Sequence, residues 1–151
     1  DKARRGRSAA LNMVLTETGA ASAVSQVLPQ LKGKLTANAI RVPTPNVSLA
    51  ILNLYLSKET TLENLNEFLR KTAFHSVYKD QIDYTNSPEI VSSDIIGSRF
   101  ACVVDSQATI CNKKNAVIYA WYDNELGYCA QLLRVLKKMA GIKYLRLPSF
   151  L

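Results

Sequence analysis

Three strand-like segments follow one another between Arg99 and Tyr122 with no helical stretch between them, and this succession constrains the fold more than any other feature. Residues 99–105, 108–111 and 116–122 read as strands, with the β-branched and aromatic residues that suit a pleated surface. Asn112-Lys113-Lys114-Asn115 has the composition of a hairpin turn between the last two. Upstream, residues 38–42 and 48–56 read as strands on either side of a stiff loop, Pro43-Thr44-Pro45-Asn46. In the second of these, Leu52, Leu54 and Leu56 alternate with Asn53 and Tyr55. Strands that succeed one another without helices argue for antiparallel or mixed pairing, against a doubly wound parallel sheet.

Three helical patterns complete the order. Residues 20–31 put Ala21, Val24, Val27, Leu28 and Leu31 on one face, with Thr18-Gly19 where an N-cap belongs and Gly33 as the stop. Thr60-x-x-Glu63 reads as a capping box opening a helix with a buried face of Leu62, Leu65, Phe68 and Leu69. Residues 82–93 read as irregular with short extended pieces. Residues 126–140 form a long amphipathic pattern of Leu126, Cys129, Leu132, Leu133, Leu136 and Met139, stopped by Gly141. The expected fold is α+β: one mixed, largely antiparallel sheet with helices packed on one face.

A chain of 151 residues suits a single domain with a real core. With 48% hydrophobic and 21% charged residues it reads as an ordinary globular protein. No apolar run reaches the roughly 18 residues that cross a bilayer, and the basic start through Arg7 lacks the apolar stretch of a secretory signal. A cytoplasmic protein without a membrane partner is expected. Cys102, Cys111 and Cys129 have no paired spacing, which argues against zinc and a disulfide framework and for buried reduced thiols. The net charge of +7 is concentrated. Arg4, Arg5 and Arg7 lie at one end, and residues 126–151 carry Arg134, Lys137, Lys138, Lys143 and Arg146 with no acid. Nucleic acid and small phosphorylated metabolites both suit such a surface. Arg134, Lys137 and Lys138 sit at helical spacing on the polar side of the apolar stripe, and read as a solvated face.

Three segments carry chemistry. In Glu17-Thr18-Gly19-Ala20-Ala21, a hydroxyl and a glycine sit at a helix N-terminus, where free N–H groups and the dipole favour an anion; the plainer reading is an N-cap that binds nothing. In Ile40-Arg41-Val42-Pro43, an arginine ends a short strand before the proline loop. Guanidinium is the cation best shaped for phosphate, although spacing alone favours a surface arginine paired with a carboxylate. In Trp121-Tyr122-Asp123-Asn124-Glu125-Leu126-Gly127-Tyr128, a strand passes into a helix through polar residues. An asparagine there donates and accepts at once, as recognition of a planar amide requires; Asn124 or Asp123 capping the last helix is the alternative.

In this order the segments resemble the glyceraldehyde-3-phosphate dehydrogenase family. Residues 4–12 look like the end of that family's S-loop and the strand after it. Thr16-Glu17-Thr18-Gly19-Ala20-Ala21 is similar to its S-T-G-A-A segment, Arg41-Val42-Pro43-Thr44-Pro45-Asn46-Val47-Ser48 to its R-V-P-T-P-x-V-S, and Trp121-Tyr122-Asp123-Asn124-Glu125 to its W-Y-D-N-E. Leu126 stands where the family usually carries an aromatic residue, and the likeness fades after Gly141.

The resemblance implies a single C-terminal, substrate-binding catalytic domain over residues 1–151, without the family's dinucleotide-binding domain. It implies that Thr18 and Gly19 contact a substrate or inorganic phosphate, that Arg41 is the second anchor, and that Arg5 assists from the S-loop. Asn124 would hold the nicotinamide carboxamide of NAD (or NADP), with Tyr128 packed nearby. In the family's scheme a cysteine thiolate adds to the aldehyde of glyceraldehyde 3-phosphate, hydride passes to NAD, and inorganic phosphate attacks the thioester to give 1,3-bisphosphoglycerate, a step of glycolysis. The S-C-T-T-N-C segment that carries the nucleophile and the histidine base do not occur in this sequence. The chain alone is therefore expected to be inactive, with no catalytic residue of its own and no metal. His75, the only histidine, follows a helix end and is expected to act there. The intact enzyme implied is a homotetramer. Nucleic acid is not the expected partner. The alternatives are a relative acting on erythrose 4-phosphate or preferring NADP, and a non-catalytic interaction module that keeps the fold.

Overall fold

The computed structural model describes residues 11–142, which fall into two compact units dividing between Pro45 and Asn46. In the first, β1 (Val14–Glu17) pairs antiparallel with β2 (Asn38–Arg41), Val14 opposite Arg41 and Glu17 opposite Asn38. Helix α1 (Ala20–Val27) lies between them in sequence and is shorter than its apolar pattern. Pro29 has no N–H to continue the helical ladder, so the chain tightens into a 3-10 turn over Pro29–Leu31.

The second unit holds β3 (Ser48–Thr60), α2 (Leu62–His75), β4 (Ile82–Thr85), β5 (Cys102–Tyr122) and α3 (Leu126–Met139). The one sheet expected is two sheets among the described residues: β1-β2, and a three-stranded sheet of order β3-β5-β4. Pro43 and Pro45 stand between β2 and β3, and neither has the N–H that would carry a ladder across. The class is nevertheless α+β with mixed pairing. β3 runs antiparallel to β5, from Ser48 opposite Tyr122 to Tyr55 opposite Asn115, while β4 runs parallel to it, from Ile82 opposite Cys102 to Thr85 opposite Asp105.

β5 is one extended run of 21 residues, so the expected break at residues 112–115 is not a gap in the strand. The run folds back all the same. Sixteen residues of extended chain span about 50 Å, yet the Trp121 indole Nε1 donates to Asp105 Oδ2 at 3.0 Å. Lys113, with φ 56°, is the residue of this run in the left-handed region that hairpin turns use. Its ladder partner β3 bulges there, advancing from Tyr55 to Thr60 while β5 moves only from Asn115 to Lys113. A second irregularity at residues 105–109 separates the first two expected segments. The Asp105 carboxylate accepts from Ala108 N at 3.1 Å, and Thr109 Oγ1 donates to the Asp105 carbonyl at 2.7 Å.

Helix α2 begins one residue later than its capping box. Thr61, not Thr60, is the cap, its hydroxyl accepting from Asn64 N at 3.3 Å. The face it buries is also rotated from the one expected. Leu65 is buried in a core with Val104, Ala116 and Ile118, and Leu69 packs against that core beside Leu56, Ile82 and Tyr84. Ala73 is buried too, whereas Phe68 is 65% exposed. At about 100° per residue, Phe68 points roughly 100° away from the centre of the Leu65–Leu69–Ala73 stripe. His75 is the last residue of α2, in its final turn.

Helix α3 ends as expected. Gly141 has φ 69°, and the N–H groups of Gly141 and Ile142 bond back to Lys138 and Lys137 carbonyls. Its apolar stripe, however, is not a core face of this unit: Leu126, Leu132, Leu133, Leu136 and Met139 are all exposed, Met139 to 79%, and Cys129 is exposed with them. The buried residue of α3 is Gly127. No described helix is long and apolar enough to cross a membrane.

Candidate functional site

The strand β5 enters α3 through Asp123-Asn124-Glu125, and one side chain organises the junction. Asp123 is only 3% exposed. Its Oδ1 accepts from Leu126 N at 2.8 Å and Glu125 N at 2.9 Å, and its Oδ2 accepts from Gly97 N at 2.9 Å. Of the two residues that sequence offered as the cap of this helix, Asp123 is therefore the one that caps it. Asn46 adds a side-chain hydrogen bond to the same carboxylate. These donors hold the acid down at about 2 from an ordinary 3.8, Gly97 N–H first and Leu126 N–H next, against the upward push of burial and with help from Glu125 N–H and Asn46.

Asn124 follows this buried carboxylate and is itself exposed. Ser48 Oγ donates to Asn124 Oδ1 at 3.5 Å, the long end of a hydrogen bond. With the oxygen turned to Ser48, the amide nitrogen is left to donate outward. Val47, between Asn46 and Ser48, has φ 75°, a conformation that a β-branched residue adopts only under constraint. The Asn46 carbonyl Oδ1 supplies that constraint by accepting Val47 N at 2.7 Å.

Tyr122, Asp123, Asn124, Gly127, Tyr128 and Gln131 line an open cavity of about 310 Å³. Tyr128 is 68% exposed at its rim. Gln131 ties the first turns of α3 to the preceding loop, its Nε2 donating to the Arg99 carbonyl at 3.0 Å. Gly127 permits that close approach, since a Cβ there would lie 2.8 Å from the Phe100 carbonyl oxygen. The two residues singled out here by sequence, Asn124 and Tyr128, thus share one cavity. Sequence offered Asp123 only as an alternative cap of the helix; its part in organising the cavity, with Asn46, Gly97 and Gly127 as supports, was not read there. The signal for Gly127 was present: a glycine in the first turn of a helix costs about 1 kcal/mol against alanine and calls for a packing reason.

Thr18, Gly19 and Arg41, the residues expected to contact anions, lie in the first unit. Thr18 Oγ1 accepts from Ala20 N at 3.2 Å at the start of α1, and Gly19 is the residue preceding the helix. Gly19 has φ −82°, open to any residue, and a Cβ there would meet nothing within 4 Å. The first helical turn leaves N–H groups without intrahelical acceptors, and the glycine leaves the space beside them clear. Arg41 ends β2 opposite Val14, so about 13 Å of ladder separates its level from that of Thr18. The ladder does not set the two anchors side by side. Between them, Thr16 lies on the same face as Arg41 by strand alternation, and its buried Oγ1 has no hydrogen-bond partner. Among the described residues no carboxylate forms an ion pair with Arg41; both ion pairs described there join Glu67 to its α2 neighbours Arg70 and Lys71. Arg5 lies outside the described residues.

Of the three thiols, Cys102 and Cys111 are partly buried and Cys129 is exposed. Burial pushes the Cys102 thiol above its ordinary value of 9.0, against thiolate formation. Cys111 Sγ faces the Thr60 carbonyl at 3.6 Å. Among the described residues no cluster of three or more His, Cys, Asp or Glu is gathered to hold a metal ion.

Comparison with known proteins adds an independent line. A family model described as glyceraldehyde 3-phosphate dehydrogenase, C-terminal domain, matches residues 1–124. A glyceraldehyde-3-phosphate dehydrogenase-like protein of Pseudomonas aeruginosa is 63% identical over 139 residues, covering 92% of this chain and 30% of that protein. Glyceraldehyde-3-phosphate dehydrogenase of Priestia megaterium is 44% identical over 139 residues, covering 91% of this chain and 41% of that protein. The enzyme of Borreliella burgdorferi is 43% identical over 138 residues, covering 90% of this chain and 41% of its own length. The chain thus spans between 30% and 41% of the length of these relatives.

Proposed function

The chain belongs to the glyceraldehyde 3-phosphate dehydrogenase C-terminal domain family, and from that premise we propose that it is the substrate-binding domain of a phosphorylating, NAD-dependent glyceraldehyde-3-phosphate dehydrogenase acting in glycolysis. The observation that carries this reading is Asn124, an exposed amide on the wall of a cavity whose oxygen accepts from Ser48, which leaves its nitrogen to donate. That donor suits the carbonyl of a nicotinamide carboxamide, and Tyr128 offers an aromatic surface beside it. When bound, the nicotinamide ring supplies the hydride acceptor. The role of Asn124 is to fix which face of the ring meets the substrate. NADP in place of NAD is compatible with these residues, since none of them reads the ribose.

Thr18 and Gly19 present a helix N-terminus to a phosphate group, and Arg41 supplies a guanidinium on the same ladder. Their separation favours two anionic contacts, one for inorganic phosphate and one for the sugar phosphate, over one shared anion. Arg5 is proposed to assist from the preceding loop. No residue of this chain is proposed as the nucleophilic thiolate or the base: burial pushes the Cys102 thiol up, and His75 is read as a residue of the last turn of α2. In the intact enzyme the domain would take part in a cytoplasmic homotetramer. An enzyme acting on erythrose 4-phosphate, and a non-catalytic module, remain the alternatives.

The test uses the isotopically labelled 151-residue chain. Inorganic phosphate should shift the amide resonances of Thr18, Gly19 and Arg41, and NAD those of Asn124 and Tyr128. The purified chain should not reduce NAD with glyceraldehyde 3-phosphate and phosphate present. Turnover by the chain alone, or shifts confined to other residues, would overturn the assignment.

A further inference from the structure

We propose that Asp123 is the positioning residue for Asn124: its buried carboxylate ties the strand-to-helix junction to two separate loops, and so fixes the direction in which the Asn124 amide is presented. The proposal rests on the reading of Asn124 as the carboxamide contact and adds the device that holds it. A side chain at the exposed junction of β5 and α3 would ordinarily sample several rotamers, because it has little packing around it. Here its backbone is pinned from both sides. One carboxylate oxygen takes Glu125 N–H and Leu126 N–H, from the two residues that follow Asn124 at the helix start. The other takes Gly97 N–H, from a loop 26 residues upstream.

The third tether reaches the segment that holds the side chain itself. Asn46 bonds the Asp123 carboxylate through its side-chain amide and Val47 N–H through its carbonyl oxygen. The bond to Val47 keeps that residue at φ 75°, and Ser48, next in the chain, directs its hydroxyl at Asn124 Oδ1. Backbone and side chain of Asn124 are thereby referred to the same buried carboxylate. A plain helix cap would need only the bonds to Glu125 and Leu126. The bonds to Gly97 and Asn46 do nothing for the helix, and they are what the positioning role adds. Charge-assisted bonds of this kind are about twice as strong as neutral ones, which suits a group that must hold three segments at once.

The test uses the labelled full chain with nicotinamide mononucleotide as the probe, in wild type, Asp123→Asn, Asp123→Ala and Asn46→Ala. Asp123→Asn can keep an acceptor toward Glu125 and Leu126 but turns an amide nitrogen toward Gly97 N–H, so it separates capping from tethering. It also carries the test if Asp123→Ala fails to fold. In the ligand-free chain, the Asn124 side-chain amide should give one resolved pair of resonances in wild type and broadened or doubled pairs in the variants, with the resonances of β3 and α2 unmoved. Probe binding should weaken about threefold in Asp123→Asn and Asn46→Ala, and about tenfold in Asp123→Ala. Wild-type affinity in well-folded Asp123→Asn and Asn46→Ala overturns the positioning role while leaving Asn124 as the contact. Disturbed Asn124 resonances in the variants, with no probe-induced shift at Asn124 in wild type, overturn the carboxamide reading instead.

Discussion

At Gly127 the backbone of α3 passes so close to the Phe100 carbonyl that a Cβ would sit 2.8 Å from its oxygen. That oxygen belongs to the main chain and cannot swing aside, so Gly127→Ala must displace either the helix or the loop before it. We expect a loss of about 1–3 kcal/mol, although alanine is the better helix former. Urea unfolding checks this, and a gain in stability would show that the loop yields freely. The Asp123 acid leads to a second expectation, in pH. Its folded value of about 2 lies below its ordinary 3.8, so its stabilisation is present in full above the unfolded value and is lost as pH falls through about 2. The stability difference between wild type and Asp123→Asn should therefore shrink between pH 5 and pH 2 in urea titrations. A difference that stays constant over that range would mean the carboxylate is not held by its donors. At this scale the sequence was legible where a residue acts on its own neighbours, as at Gly141, which closes α3 with φ 69°. It was not legible where the role depends on a partner far along the chain. Nothing in Asp123-Asn124-Glu125 tells that Gly97 N–H is waiting for the carboxylate, and an unpartnered Thr16 hydroxyl has no signature in a string of letters.

The elements were read well by period and less well by phase. Apolar spacing placed α2, but its strongest side chain, Phe68, was assigned to the core on hydrophobicity although it lies off the Leu65–Leu69–Ala73 stripe. Truncation separates the two. Leu65→Ala, in the packed core with Val104 and Ile118, should cost about 2–5 kcal/mol. Phe68→Ala should stay within about 0.5 kcal/mol, as surface changes do. Thermal unfolding of both variants decides it, and a large cost at Phe68 would restore the expected face. Local chemistry set other boundaries with mixed success. Pro29 ends α1 at a point its composition announces, whereas the choice between Thr60 and Thr61 as the cap of α2 turns on a backbone conformation that composition does not distinguish. The turn at Asn112-Lys113-Lys114-Asn115 was legible as a reversal, yet not as a continuous extended run, because the bulge opposite it in β3 arises from pairing rather than from the turn residues.

On the scale of the whole molecule, α3 presents what its sequence pattern does not disclose. A stripe at helical spacing signals burial, but it does not say against what. Among the described residues the helix is fastened at its start by Asp123, Gly127 and Gln131, and beyond that its leucines make no core with them. Exposed apolar side chains along fourteen helical residues exceed what scattered surface hydrophobics amount to, and contiguous apolar patches above a few hundred Å² mark association surfaces. The chain should therefore self-associate through this face when studied alone. Sedimentation velocity over a range of concentrations should show a rising average mass, and Leu133→Lys combined with Leu136→Lys should abolish the rise. Since both leucines are exposed, the double variant should unfold within about 0.5 kcal/mol of wild type, which separates a lost surface from a lost fold. Association that persists unchanged in that variant would move the contact to another apolar surface, the exposed Ile51 and Tyr55 of β3 being the next to substitute.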